Sequence, residues 1–410
     1  MTKSQINKLG KELRKQIRDE VNPSNALLDS LQLYRTTFKD DLSSVFEIIT
    51  KTAKEGRSDS IVSFRIKRIE SILSKIKRQP TMALGNMGDI AGCRVLVYSE
   101  DALSKLILKF NSIFNIKYFN DYTVESKDDG YRGYHFYIES PINPNKLIEI
   151  QLRTVTSHKW ASMVEIVDIL YDLKIKEGQK HPDFEKFLLL FSNKNNLSNS
   201  EKKELLKIDD KFKVYNKLNE VFVKNHIQIR MDWLKISNQN NNYFIIEVDA
   251  EKTSKIYSFN TYEKAEENYF NKFKENNNSN FVLTHIEKPN FKRLCIAYAS
   301  YVLIKHDYLN DWNEFTSDVL KESIDKNNKI DLHFFKNYTK RNLDDQMALI
   351  KSELDEAKKY KETSEIDTKG FEEWVNEIKE NLEKVTNLAM KRANANGKSK
   401  KGFIQKLLGI

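Results

Sequence analysis

The chain has few cysteines for its length, since 410 residues contain only Cys93 and Cys295. Two cysteines so far apart argue against a disulfide framework and against a cysteine zinc site, and they are typical of small buried side chains in a reducing compartment. No stretch approaches the roughly 18 consecutive apolar residues of a membrane span, and the N-terminus lacks the apolar core of a signal peptide. The sequence therefore predicts a soluble, cytoplasmic protein that does not contact a membrane.

The composition is that of a globular protein with more than one domain. A hydrophobic content of 40% over 410 residues is enough for a sizeable core. Lys and Arg number 68 against 59 Asp and Glu, and the isoelectric point is about 9.0. A basic balance suits polyanionic ligands such as nucleotides or RNA, although this excess is spread over many lysines and indicates no particular site.

Hydrophobic periodicity predicts an α/β (α+β) protein in several regions. These are N-terminal helices at 1–55, a mixed core at 56–180, a helical extension at 181–237, a smaller α+β unit at 243–310, a helical region at 311–392 and a basic tail at 393–410. Residues 340–390 are predicted to form long solvated helices. Within the core, strands are predicted at 88–98, 117–124, 134–139 and 147–154, and helices at 101–114 and 155–173. Helices packed against a mixed sheet are the natural outcome of this order.

The strand at 147–154 is predicted to have one chemically active face. Side chains alternate along a strand, so Glu149, Gln151 and Arg153 share one face while the intervening apolar residues pack on the other. Strand positions normally favour β-branched and aromatic residues. A carboxylate, an amide and a guanidinium in one row therefore indicate a functional face, with a solvated charged face as the structural alternative.

Two further features point to phosphate and metal chemistry. Cations gather over residues 63–78 beside an apolar helical stripe, which is typical either of a phosphate site or of a solvated helix face. Asp89 precedes a buried strand, and it would converge with Glu149 if the two strands were neighbours. Paired carboxylates suit a divalent cation, which prefers oxygen ligands and usually also binds waters and substrate phosphates.

Over about residues 60–175 these segments resemble the synthetase domain of the RelA/SpoT family. The resemblance is carried by four motifs: Arg65-x-Lys67 with Ser71, Lys75 and Arg78; Asp89-Ile-Ala-Gly-x-Arg94; Lys127-x-x-Gly130-Tyr131-Arg132-x-x-His135; and Glu149-x-Gln151-x-Arg153-Thr154. It implies a mixed five-stranded sheet flanked by helices, related to nucleotidyltransferases. It also implies transfer of the β,γ-pyrophosphate of ATP to the 3′-hydroxyl of GDP or GTP, which yields the alarmone (p)ppGpp and AMP.

On the donor side, the resemblance implies that Arg65 and Arg94 hold the adenine between their guanidinium planes, which lysine cannot do because it has no flat face. The other residues implied to bind ATP, mainly through its triphosphate, are Lys67, Ser71, Lys75 and Arg78. Asp89 is expected to bind Mg²⁺. Glu149 is expected to assist the metal and to accept the proton of the attacking hydroxyl.

On the acceptor side, the resemblance implies that Tyr131 stacks on the base. The remaining acceptor residues that it implies are Lys127, Gly130, His135, Gln151, Arg153 and His158. Asp128 and Asp129 add negative charge beside this turn, which disfavours a highly phosphorylated acceptor through like-charge repulsion.

The acceptor and the class of function are therefore open at the level of sequence. One alternative is a toxic or phage-defence synthetase that modifies the 3′-CCA end of tRNA or an adenosine nucleotide. Another is a degenerate nucleotide-binding module that acts through its partners. The C-terminal half is expected to bind a regulatory protein or to form a homo-oligomer, and the dipeptide at 306–307 is interpreted as structural because it lacks the partner histidines of a hydrolase.

Overall fold

The computed structural model of the protein describes residues 1–56, 59–123, 131–173, 179–248, 254–275, 280–298, 311–316, 318–319, 322, 329–363 and 368–395. The chain forms two compact units, of which the first comprises Met1–Ser192 and Gln239–Leu303 and the second Asn193–Asn238 and Ile304–Ile410. In these ranges, every helix is too short or too polar to cross a lipid bilayer.

The helices and strands follow one another along the chain with these bounds. The order is α1 (Lys3–Arg18), α2 (Asn25–Thr36), α3 (Lys39–Gly56), β1 (Ile61–Ile66), α4 (Ile69–Arg78), β2 (Ala91–Val97), α5 (Glu100–Ile113), β3 (Ile116–Asp121), β4 (Tyr134–Glu139), β5 (Leu147–Thr154), α6 (Val155–Tyr171), α7 (Pro182–Ser192), α8 (Asn199–Phe212), α9 (Val214–Ile236), β6 (Tyr243–Val248), β7 (Ser254–Phe259), α10 (Tyr262–Glu275), β8 (Asn280–Ile286), α11 (Phe291–Tyr298), α12 (Lys329–Thr363) and α13 (Thr368–Ala395).

Local chemistry sets several of these boundaries. Helix α1 begins at a capping box, in which the side chains of Thr2 and Gln5 each satisfy the other residue's backbone N–H. The change from β5 to α6 occurs at Thr154, whose hydroxyl accepts a hydrogen bond from the Ser157 amide. Strand β5 is thereby joined to its helix without a loop.

The first unit contains one eight-stranded sheet in the order β3-β4-β5-β2-β1-β8-β6-β7. Strands β5 and β2 run parallel, whereas all other neighbours are antiparallel. The five strands from β3 to β1 make up the mixed, helix-flanked sheet that the sequence predicts. The fold-class prediction is confirmed for this part of the chain.

The three remaining strands correct the predicted domain layout. Residues 243–310 are predicted as a separate α+β unit, yet β8 pairs with β1 from Ile61 opposite Ile286 to Phe64 opposite Leu283. The buried Thr284 hydroxyl also donates a hydrogen bond to the Val62 carbonyl at 2.9 Å. An uncovered β1 would expose unpaired backbone groups at its outer edge, and β8 satisfies them. We call β8, β6 and β7 the added strands.

The two faces of β1 have different roles. Val62, Phe64 and Ile66 belong to the main hydrophobic core, which also contains side chains of α1, α2, α3, α5 and α10. Because side chains alternate, Ser63 and Arg65 lie on the opposite face of the sheet. That opposite face carries the polar residues described below.

In the second unit, α12 and α13 pack together through an apolar stripe. Trp374 is fully buried with Ile378, Leu343 and Ile350, and Leu234 of α9 joins the same cluster. These helices are therefore not the fully solvated helices that the sequence predicts, since a spacing of three and four residues places their apolar side chains on one buried face. The dipeptide at 306–307 and the tail from 396 lie outside the described residues.

Candidate active site

Strand register places two rows of side chains across the polar face of the sheet. One row runs through Tyr118, Tyr137, Glu149, Gly92 and Arg65, each directly opposite the next on a neighbouring strand. The adjacent row runs through Asn120, His135, Gln151, Arg94 and Ser63 in the same manner. Because neighbouring strands are about 4.8 Å apart, residues distant in sequence become close neighbours.

One pocket opens on these rows. Six predicted site residues line it: Arg65, Lys67, Asp89, Arg94, Glu149 and Gln151. Its other lining residues are Ser63, Phe64, Gly92, Cys93 and Val282. The fold therefore brings three of the predicted ATP-binding residues, Arg65, Lys67 and Arg94, into one cavity with the predicted general base Glu149.

Asp89 lies between two lysines, two residues before the start of β2. Lys67 Nζ is 2.9 Å from Asp89 Oδ2, and Lys75 Nζ is 2.8 Å from Oδ1. Burial alone would raise the pKa of Asp89, but the two ammonium groups outweigh it and hold this pKa below its ordinary value. Asp89 is thus an ionised carboxylate at neutral pH with cations on both oxygens.

Glu149 accepts three hydrogen bonds from side chains of its own strand and of β4. His135 Nδ1 is 3.1 Å from Oε1, the Tyr137 hydroxyl donates to Oε1 at 2.8 Å, and Gln151 Nε2 donates to Oε2 at 2.7 Å. Burial would raise the pKa of Glu149, yet the hydrogen bonds from His135, Tyr137 and Gln151 hold it far below its ordinary value. A carboxylate offers about four acceptor positions, so these three donors leave one for a substrate hydroxyl or a metal.

Gln151 connects this carboxylate to two arginines. Its amide oxygen accepts from Arg153 Nη2 at 2.8 Å and from Arg94 Nε at 3.4 Å. The amide is therefore oriented, since its nitrogen donates to Glu149 and its oxygen accepts from guanidinium groups. Gln151 thus holds the side chains of Glu149, Arg153 and Arg94 in position.

Tyr131 and His135 form the side of the site that the sequence assigns to the acceptor. The Tyr131 hydroxyl is hydrogen-bonded to His135 Nε2, and the Arg153 guanidinium lies 4.7 Å from the centre of the Tyr131 ring. With His135 Nδ1–H donating to Glu149, Nε2 accepts from the phenol, which connects Tyr131 to Glu149 through one imidazole. Arg153 covers one face of the ring, so a base stacked on Tyr131 would use the other.

Several predicted residues are not brought into the pocket. Ser71 and Arg78 lie on α4 and are absent from its lining, Ser71 half-buried and Arg78 exposed. His158 is fully buried, with Nε2 hydrogen-bonded to the Ile296 carbonyl of α11 at 3.0 Å. The predicted contact of His158 with an acceptor base is therefore absent from this arrangement. Lys127, Gly130 and the acidic pair at 128–129 lie outside the described residues.

An aromatic pair beside the carboxylates is missing from the residues predicted from the sequence. Tyr137 stacks on Tyr118 with ring centres 4.3 Å apart and an 18° angle between the planes, while its hydroxyl binds Glu149. Gly88 makes room for this pair, because a Cβ there would lie 2.8 Å from both the Tyr118 hydroxyl and a Tyr137 ring carbon. Strand alternation could have identified Tyr137, since it follows His135 by two residues on the same face.

A metal at this site would be coordinated by both protein and substrate groups. Within the ranges that the structure describes, no group of three or more His, Cys, Asp or Glu side chains is placed to hold a metal ion. Asp89 and Glu149, however, line the same pocket and both are ionised. Mg²⁺ is commonly held by one or two carboxylates together with substrate phosphates, so this donor set fits it.

Residues 64–176 match the family described as "Region found in RelA / SpoT proteins". The chain is 32% identical over 128 residues to the GTP pyrophosphokinase YjbM of Bacillus subtilis, a match that covers 29% of this chain and 61% of that protein. It is also 32% identical over 111 residues to the GTP pyrophosphokinase YwaC of the same organism, covering 24% of this chain and 53% of YwaC. The chain thus spans between about half and three fifths of these relatives' lengths.

Two solved structures are also similar. Small alarmone synthetase 1 of Bacillus subtilis, bound to its product pppGpp, matches with a TM-score of 0.31 and 22% identity, over 34% of this chain and 82% of that one. Small alarmone synthetase 2 of the same organism matches with a TM-score of 0.32 and 25% identity, over 39% of this chain and 88% of that one.

Proposed function

We propose, from the premise that residues 64–176 are a RelA/SpoT synthetase region, that this chain is an ATP-dependent pyrophosphokinase. It would transfer the β,γ-pyrophosphate of ATP to the 3′-hydroxyl of GDP or GTP and release AMP. The observation that carries the proposal is the single pocket in which Arg65, Arg94, Asp89 and Glu149 meet. Each step of the reaction has a side chain of suitable chemistry in or beside that pocket.

The spacing of Arg65 and Arg94 supports a clamp for the adenine base. Arg65 is opposite Gly92 and Arg94 is opposite Ser63, so the two arginines are diagonal neighbours across β1 and β2. Diagonal neighbours on one face of an antiparallel pair are about 7–8 Å apart. Two long side chains that begin this close together on one face can reach the two sides of the same flat ring with their guanidinium groups.

Lys67 and Lys75 would bind the triphosphate while remaining close to Asp89. Each ammonium group has three protons and uses one on an Asp89 oxygen, which leaves donors for phosphate oxygens. Asp89 and Glu149 would hold Mg²⁺ together with those phosphates. When bound, Mg²⁺ supplies charge neutralisation for the transferring group, which is where most of the rate enhancement of phosphoryl-type transfer originates.

Glu149 would orient the acceptor 3′-hydroxyl and accept its proton as the new bond to the β-phosphorus forms. Its low pKa keeps it ionised, and its fourth acceptor position is the one to which the substrate hydroxyl would donate. Proton transfer to such a positioned base typically contributes about 10²–10⁴-fold. Tyr131 would stack on the acceptor base, with His135 and Arg153 holding Tyr131 in place.

The proposal is tested by incubating the purified chain with Mg²⁺ and γ-labelled ATP in the presence of GDP, GTP, ADP or deacylated tRNA. We expect the label to move to a guanine nucleotide. Label on tRNA or on an adenosine nucleotide would show that the acceptor is not a guanine nucleotide, while the chain would still be a pyrophosphokinase. If ATP binds but no acceptor in this panel gains label, the chain is a binding module and the proposed activity is wrong.

A further inference from the structure

Strand β8 brings a residue from far outside residues 64–176 into the pocket. Val282 lines the same cavity as Arg65 and Arg94, and only 2% of its surface is exposed. The register of β8 with β1 extends to Phe64 opposite Leu283, so Val282 comes next, beside Arg65. Opposite neighbours on one face of a sheet have Cβ atoms about 4.5–5.5 Å apart.

The position of Val282 in the strand order indicates which substrate it faces. The residues assigned to the acceptor, Tyr131 and His135, lie on and before β4, on one side of Glu149. Val282 lies on the other side, beyond β2 and β1, next to the proposed adenine clamp. A donor base is therefore the part of either substrate that would approach it.

Val282 is chemically suited to this place. Guanidinium groups cover the two faces of a base but leave its edge and ribose side to other surfaces, and an apolar branched side chain excludes water there. The neighbour of Val282 on the side away from Arg65 is Ile246 of β6, which is apolar and 1% exposed.

We propose that Val282 forms the outer wall of the ATP base site, so that donor binding depends on the added strands as well as on residues 64–176. The inference rests on the proposed function. It makes Val282 a specificity-determining residue for the donor nucleotide and gives the C-terminal segment a direct part in ATP binding.

The test compares Val282→Phe and Val282→Thr in the full chain. Phenylalanine should fill the base site and raise the Kd of a non-hydrolysable ATP analogue about tenfold, equivalent to 1.4 kcal/mol. Threonine has nearly the same shape and adds a hydroxyl, so a smaller increase of about threefold is expected. The KM for the acceptor should stay within about twofold in both variants, because its binding residues are on the other side of Glu149.

Ile246→Thr is the matched control, since it makes a similar change on the same face one strand farther from the pocket. It should leave the ATP Kd unchanged. Wild-type binding of ATP combined with unchanged Kd values in both Val282 variants would overturn this inference alone, as would an equal weakening by Ile246→Thr. A wild-type chain that binds no ATP would overturn the proposed function together with it.

Discussion

Strands β3 to β1 and the added strands form one continuous sheet, but they place different side chains on the same face. On the first five strands that face carries Glu149, Arg94 and Arg65. On the added strands it carries Val282, Ile246 and Phe244, all nearly inaccessible to solvent. Backbone hydrogen bonding thus continues from β1 to β8, whereas the charged side chains of this face end at β1. Strands can therefore be added to a sheet without adding reactive side chains to its polar face, and the added strands can still contribute apolar surface to the pocket.

The largest effect is expected for Glu149→Gln, which removes the carboxylate from the charged face of the first five strands. The amide keeps the shape but cannot accept a proton, so pyrophosphate transfer should fall by about 10²–10⁴-fold while ATP binding persists. Transfer rates and analogue Kd values measure this split. Glu247→Gln on β6 is the control, because Glu247 interacts with Tyr257 and Lys272 away from the pocket. Full pyrophosphate transfer by Glu149→Gln would contradict the role of Glu149 as the general base.

A smaller effect is expected for Arg94→Lys, which retains the charge and removes the flat guanidinium. Loss of one stacking surface should raise the KM for ATP about tenfold and leave the acceptor KM unchanged. Steady-state kinetics with each substrate varied in turn measure both constants. Arg293→Lys on α11 is the control, since Arg293 pairs with Asp59. An unchanged KM for ATP in Arg94→Lys would contradict stacking of Arg94 on the adenine.

Tyr137→Phe tests a single hydrogen bond on the charged face. It deletes the hydroxyl that donates to Glu149 and preserves the ring stack with Tyr118. Hydrogen bonds to charged groups contribute about 1.5–3 kcal/mol, so kcat should fall roughly tenfold with little change in either KM. Tyr118→Phe keeps the same stack and should change kcat less than about twofold. Equal effects of the two substitutions would contradict a specific role for the Tyr137 hydroxyl on Glu149.

The prediction for the added strands concerns stability and not activity. Burial lowers the pKa of His285 from 6.5 to about 4, with Lys54 acting in the same direction. His285 therefore stays neutral in the folded chain while the unfolded chain takes up a proton. Its contribution is complete above pH 6.5 and is lost as the pH falls towards 4, by about 2 kcal/mol at pH 5.

Denaturant unfolding at pH 7 and pH 5 checks this prediction. His285→Gln should reduce the loss of unfolding free energy between the two pH values, whereas His181→Gln, placed before α7 and outside the sheet, should retain it. An identical pH dependence in His285→Gln and the unsubstituted chain would contradict a buried neutral imidazole at the β1–β8 junction.

Much of the site was predictable because its chemistry is local in sequence. The bounds of β4 and β5 agree with the predicted strands, since alternation of apolar and polar residues reports directly on a half-buried strand. The same alternation is sufficient to place Glu149 and Gln151 on one face of β5.

Contacts between distant segments were not predictable in this way. The pairing of β8 with β1 joins residues more than 200 positions apart. The alternation of apolar and polar residues within each strand does not indicate which strand pairs with it. Val282 could not be assigned to the pocket without that register. The predicted contact of His158 with the acceptor base has the same cause. Sequence proximity to the motif suggested it, whereas the hydrogen bond to the carbonyl of Ile296 depends on the distant helix α11.

The proposed pyrophosphate transfer is decided by the identity of both products after incubation with ATP and a guanine nucleotide. Mass analysis should find one AMP for each acceptor that has gained two phosphates, with the β- and γ-labels of ATP moving together and the α-label remaining in AMP. Release of ADP would indicate transfer of a single phosphate, and release of pyrophosphate would indicate transfer of the nucleotide itself. Either result would contradict the proposal that this pocket transfers the β,γ-pyrophosphate.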